Sequence, residues 1–160
     1  MSSNTNENAE QHSLLLFKTG GISFACEFSD VLKIEPAVGR RLTPAPGFPA
    51  YMPGTVELEG SVAPVIDTSL RFGLGNGITG LRSCFILTRV DLEGAENAEQ
   101  FERYDRCAAL VDEVSGSDKV DELLPPPAVN AESYSRYLKG VYTKNGETIY
   151  VISPHKLIGV

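Results

Sequence analysis

The stretch "LTPAPGFPAYMPG", Leu42 to Gly54, carries Pro44, Pro46, Pro49 and Pro53 in close order. A proline fixes φ and removes a backbone N–H, so this stretch cannot form a regular helix. It reads as an extended, rigid connection with few donors to satisfy, of the kind that presents a surface. The same punctuation runs through the chain, which has 15 Gly, 10 Pro and no Trp. Only short elements separated by turns fit between such breakers. That favours β-structure and excludes the regular strand–helix alternation of a receiver-like fold. At 160 residues the chain suits one domain, or two small subdomains sharing a core, and is long enough to fold without covalent staples.

The segment "SLLLFKTGGISFACEF" predicts a hairpin, because a Gly-Gly link between two apolar runs is a turn that flanking strands accommodate. In "FSDVLKIEPAV", Ser29 or Asp30 could cap a short helical turn before Pro36, or the segment could be a strand. "TVELEG" alternates, placing Val56 and Leu58 on one face and Glu57 and Glu59 on the other, with Gly60 and Ser61 as the turn. "SVAPVID" resumes as a strand whose Pro64 suggests an edge or a bulge. "LRSCFILTRVD" and "RCAALVDEVSG" read as paired strands separated by the acidic stretch "LEGAENAEQFERYD", either a mobile tip or a short helix. "LKGVYTK", an Asn145–Gly146 turn and "TIYVIS" give a closing hairpin, and Pro154 predicts a short terminal helix. Residues 1–12 are a polar tail with too little apolar surface to offset ordering entropy.

The net charge of −7 and pI near 4.8 argue against nucleic-acid and anionic-membrane surfaces, leaving protein as the expected partner. No apolar run is long enough for direct membrane insertion and the start is not signal-like, so a cytoplasmic location is expected. Cys26, Cys84 and Cys107 each lie in an apolar stretch and read as small core residues rather than disulfide partners or zinc ligands. The sharpest catalytic signal is "VIDTS", whose Asp67-Thr68-Ser69 resembles the active tripeptide of retropepsin-like aspartic proteases. The competing reading is that Asp67 ends a strand and holds a turn through its side chain. His12 in the tail and His155 near the terminus have no neighbours that make a Cys/His or metal arrangement. Asp112 and Glu113 fall on opposite faces of a strand, the wrong disposition for paired acid–base work.

From Leu14 to Ile158 these segments, in this order, resemble the CheW-like family, comprising the chemotaxis coupling protein CheW and the CheW-like domain of the histidine kinase CheA. The resemblance rests on "LLLFKTGGISFACEFSDVLKIE", "PGTVELEGSVAPVIDTSLRFGL", "CAALVDEVSG" and "LPPP…YLKGVYTKNGETIYVISPHKLI". It implies a mainly β fold of two intertwined small SH3-like β-barrels with a short C-terminal helix. The approximate subdomains would be 13–75 and 76–150, with 151–160 as closing strand and helix. It further implies a non-catalytic adaptor, without cofactor, joining the cytoplasmic tip of a chemoreceptor (methyl-accepting chemotaxis protein) to the regulatory domain of a CheA-type histidine kinase. An adaptor of the same kind serving a pathway other than flagellar chemotaxis fits the resemblance equally.

Carried over by position, receptor contact would involve Val31, Lys33, Ile34, Gly54, Val56, Glu59 and Gly60, and kinase contact Leu42, Pro53 and Val62. Two positions depart from the family pattern. Glu59 stands where members typically carry Arg, and Lys33 where they typically carry an acid. Both signs are inverted, so a pair facing across neighbouring strands would keep its geometry while changing what a partner reads. The acidic stretch after Val90 and the Ser153–Pro154 entry to the terminal helix are further departures.

Overall fold

The computed structural model describes residues 11–75, 79–93, 98–127 and 132–158. Its strands are β1 (His12–Thr19), β2 (Ile22–Glu27), β3 (Lys33–Pro36), β4 (Gly54–Leu58) and β5 (Ser61–Asp67), followed after the one-turn helix α1 (Thr68–Arg71) by β6 (Cys84–Arg89), β7 (Arg106–Val111), β8 (Glu113–Val120), β9 (Leu138–Lys144) and β10 (Glu147–Ile152). Single 3-10 turns lie at Phe28–Asp30, Ala98–Phe101, Ser135–Tyr137 and Pro154–Lys156, the last standing where the sequence predicts a terminal helix.

The strands form two five-stranded sheets of the same topology, ordered β8-β1-β2-β10-β9 and β3-β6-β7-β5-β4. In each, a central antiparallel pair (β1/β2, β6/β7) is joined by one parallel contact (β2/β10, β7/β5) to a tight hairpin (β9/β10, β4/β5). The outermost strands of each sheet also approach one another. In the first sheet, Leu124 bridges Val141 just past β8, while Tyr142 Oη donates to Asp118 Oδ2 at 3.0 Å. Each sheet thus curls into a small barrel. A boundary near residue 75 does not separate the barrels, because β1 and β2 belong to the first sheet while β3, β4 and β5 belong to the second.

This arrangement explains the unbroken apolar runs. Leu14 and Leu16 point into the first barrel with Ala25, Ile149 and Val151, whereas Leu15 and Phe17 point into a core shared between the sheets. Phe85 and Leu87 fill the second barrel with Val56, Leu58, Ala63 and Val65, whereas Ile86 joins the shared core. A strand covered on both faces has no polar alternation to show. In the shared core Phe24 meets Phe72 at 4.8 Å, Tyr134 at 5.2 Å, Phe17 at 5.8 Å and Tyr150 at 6.1 Å between ring centroids.

Several expectations shift. Residues 1–10 of the polar tail lie outside the described residues, but His12 is ordered into β1, its Nδ1 2.9 Å from Glu27 Oε1. Pro64 is on an internal strand, opposite Thr55 and one residue before pairing with β7 begins at Val65. The segment before Pro36 is a 3-10 turn and then a strand, using both alternatives in succession. β8 runs on through "GSD", residues with weak strand preference, because β1 supplies its hydrogen-bond partners. Cys26 and Cys107 are core residues whose burial pushes their thiols up to about 12 and about 11, while Cys84 is only half-buried.

Glu27 links three strands of the first sheet, accepting hydrogen bonds from Lys139 of β9 and from His12 of β1. Burial disfavours its charge, but those two partners outweigh burial and hold the carboxyl below its ordinary value of 4.5. A carboxyl depressed by folding contributes stability above its unfolded pKa and loses it as pH falls through the folded one. Urea unfolding of Glu27→Gln beside the wild type should therefore show the variant less stable at neutral pH, with the gap closing below about pH 4.

Candidate protein-docking surface

The candidate surface is built on the two outermost strands of the second sheet, β3 and β4. β3 follows the 3-10 turn at Phe28–Asp30, which Val31 N closes by donating to Phe28 O at 3.0 Å, and Leu32 N then enters the sheet by donating to Leu87 O at 2.8 Å. Successive side chains alternate between faces. Leu32 and Ile34 therefore share one face and are 43% and 36% exposed. Beside Leu32 lies a cleft of about 210 Å³, lined also by Ser29, Asp30, Arg89, Val90 and Asp91. Lys33 and Glu35 share the other face, in register with Leu87 and Phe85 of the second-barrel core.

At the opposite edge, β4 and β5 meet in a two-residue turn. The turn is Glu59–Gly60 rather than Gly60–Ser61, with φ of 52° and 79°, the same backbone as Asn145–Gly146 at 52° and 79° between β9 and β10. Both central residues are left-handed, which suits the right-handed twist of the strands but is unfavourable for Glu. From that tip Glu59 Oε1 accepts a hydrogen bond from Lys33 Nζ. Lys33 Nζ also lies 3.0 Å from Glu35 Oε1, and Arg40 Nη2 lies 3.4 Å from Glu35 Oε2. Hydrogen bonds from Lys33 to Glu59 and Glu35 raise the lysine's pKa, and the Lys33 ammonium lowers that of Glu59. The two residues do pair, but not across neighbouring strands. They join the opposite edges of one curled sheet, so the charge chain spans the gap between β3 and the β4–β5 tip.

The remaining sequence-derived positions are distributed differently. Lys33, Glu59 and Gly60 come together, Ile34 lies on the reverse face of β3, and Val31 is partly buried against the shared core. Val56 is 2% exposed and fills the second barrel, so it backs the surface rather than forming it. Gly54 is also buried, and its role is close approach. The chain at Thr43 lies along the outer edge of β4, exchanging two 2.8 Å hydrogen bonds with Thr55. A Cβ on Gly54 would stand 2.3 Å from Thr43 O. Next to this bridge Leu42 is half-buried, while Pro53 and Val62 are exposed, Val62 opposite Glu57.

Asp67 is a helix cap. Its Oδ1 accepts from Ser69 N at 3.0 Å and Leu70 N at 3.4 Å, opening α1. Burial raises its pKa, opposed by those two amides and reinforced by the charge of Asp112. Asp112 in turn accepts from Gly20 N at 2.9 Å and so fastens the first hairpin. The sequence reading did not single out Leu32, whose alternation with Ile34 was the available signal, or Arg71. The latter's Nε donates to Leu157 O at 2.8 Å and its guanidinium lies 3.9 Å from the centroid of the Tyr51 ring, holding the C-terminal segment to α1.

The family model of the CheW-like domain matches residues 13–160. The chain belongs to the CheW-like domain family. It is 28% identical over 150 residues to a probable chemotaxis protein CheW of Rhizobium etli, covering 91% of this chain and 86% of that one. It is 26% identical over 144 residues to the chemotaxis protein CheW of Rhizobium meliloti, covering 87% and 82%. In fold it is similar to the scaffolding protein TtCheW from Thermoanaerobacter tengcongensis, with a TM-score of 0.76 at 23% identity, over 93% of this chain and 88% of that one. The family role is a non-catalytic chemotaxis scaffold, which removes the protease reading of Asp67 and leaves it as the cap described. Among the described residues, no helix of this CheW-like domain is long and apolar enough to cross a membrane.

Two substitutions separate close approach from turn strain. Gly54→Ala should lower stability to urea by about 1–3 kcal/mol, because the new methyl group meets backbone rather than a movable side chain. Hydrogen exchange should then quicken at Thr43 and Thr55. Glu59→Asn, copying the other hairpin, should raise the thermal midpoint by about 2–4 °C as the left-handed residue becomes one that tolerates it.

Proposed function

We propose that this CheW-like domain couples the cytoplasmic tip of a chemoreceptor to the regulatory domain of a CheA-type histidine kinase. On this reading the receptor docks where β3 and the β4–β5 tip meet, using Val31, Lys33, Ile34, Glu59 and Gly60, with Gly54 and Val56 supporting from beneath. The kinase docks on the β4 edge at Leu42, Pro53 and Val62. The observation that carries the reading is the pair of exposed aliphatic side chains, Leu32 and Ile34, on an edge strand of a rigid frame and beside a cleft. Apolar residues rimmed by charge are the anatomy of a protein interface, and modest area suits a transient complex.

The inverted charges at Lys33 and Glu59 set partner choice in this proposal. The pair is exposed on both sides, so it contributes little to folding, whereas an approaching surface complementary to the opposite arrangement meets like charges. Calorimetric titration of the purified protein with a CheA-type regulatory domain and with a receptor tip fragment tests the adaptor reading, and saturable binding to both is the expected result. Binding to neither would overturn it. Lys33→Glu and Glu59→Arg should each weaken receptor binding when made alone and shift receptor preference when combined, with a non-additive cycle. Additive effects would remove the pair as a unit of recognition.

A further inference from the structure

We infer that the excursion between β6 and β7 is a brace that fixes the proline loop between β3 and β4, and thereby sets the geometry of the Leu42–Pro53 face. The inference rests on the reading of that face as kinase-docking. The excursion is pinched at its base, where Val90 N donates to Asp105 O at 3.2 Å. Two aromatic side chains near its C-terminal end leave the solvent. Phe101 and Tyr104 turn inward and are 1% and 8% exposed, and Arg103 Nη2 donates to the Tyr104 hydroxyl at 2.7 Å. Phe48, from the middle of the proline loop, packs on this pair, with its ring centroid 5.2 Å from Phe101 and 6.5 Å from Tyr104. Gln100 Nε2 donates to Gly47 O at 2.8 Å, capping the contact with a hydrogen bond.

The loop needs such support. Pro44, Pro46, Pro49 and Pro53 provide no N–H, and the bonds at Phe48 N to Ala45 O and Met52 N to Pro49 O are local turns. Among the described residues, backbone hydrogen bonds tie this loop to the sheet at its two ends, through Thr43 with Thr55 and through Tyr51 O accepting from Asp67 N. Between them, at Gly47 and Phe48, the described partners come from the excursion. A loop held in its bound form before a partner arrives loses less entropy on docking, so bracing raises affinity without the excursion touching the partner. An acidic segment that served only as a solvated face would have no reason to bury a phenylalanine.

The experiment compares the full chain with Gln100→Ala, Phe48→Ala, Phe101→Leu and Leu42→Ala, using hydrogen exchange and titration with a CheA-type regulatory domain. Gln100→Ala removes one exposed hydrogen bond and so preserves the core even if Phe101→Leu fails to fold. For the three brace variants, amides at Phe48 and Met52 should exchange about tenfold faster while those of β1 and β2 stay unchanged. The kinase-domain Kd should rise about threefold or more. Leu42→Ala should weaken binding without altering exchange. Unchanged exchange at Phe48 and Met52 in Gln100→Ala and Phe48→Ala overturns the brace. Faster exchange with unaltered affinity, together with an inert Leu42→Ala, keeps the brace and overturns the kinase-docking assignment of the face.

Discussion

The packing of Phe24 is the contact on which the rest of the molecule depends. It is fully buried, and its ring gathers Phe17 of β1, Phe72 from the end of α1, Tyr134 and Tyr150 of β10. Either barrel alone encloses only a small cluster of side chains, too little to offset the entropy of ordering five strands. The shared core supplies the missing burial by covering the outer face of each central pair. Position of the surface elements follows from it. β3 and the β4–β5 tip hang from a sheet whose other side is locked against the first barrel, so their separation is a property of the whole fold rather than of the loops.

Duplicated topology gives this frame two similar hairpins, and their chemistry differs where it matters. Asn145–Gly146 is a turn made of residues that accept left-handed backbone. Glu59–Gly60 forces a glutamate into the same shape, and that residue then reaches Lys33. A position kept in an unfavourable conformation while carrying an exposed charge is what the proposed recognition role of Glu59 would use. The face is also compartmented. Strand periodicity places Lys33 and Ile34 on opposite sides of β3, so charge and aliphatic contact cannot be offered to a partner by the same approach unless it wraps the edge.

Much of this was legible in the chain. Gly20–Gly21 and Asn145–Gly146 mark hairpins, "SLLLF" and "CFILT" mark strands, and Asp67 can be read as a turn holder from its neighbours alone. Local sequence could not reveal which edges meet. Lys33 and Glu59 pair across the gap of a curled sheet, a consequence of strand order rather than of spacing. Val56 alternates correctly as an inward residue, yet the family resemblance places it in a contact set, and only burial separates a supporting residue from a touching one. β8 was obscured because Gly116, Ser117 and Asp118 favour turns, and the partner that overrides them is β1, far away in sequence. Acidic composition likewise hid the inward turn of Phe101 and Tyr104.

The parallel contacts have a consequence for how the protein is made. β2 is translated well before β10, its neighbour on one side, with which it pairs through Phe24–Tyr150 and Ala25–Val151. While the ribosome is still supplying the intervening strands, β2 has an open edge and Phe24 lacks the ring of Tyr150. The first sheet takes strands from both sides of the second in sequence, so a nascent chain stalled before β10 is not a smaller folded unit but an unfinished one. Completion of that sheet during synthesis therefore waits on strands that follow the whole of the second one.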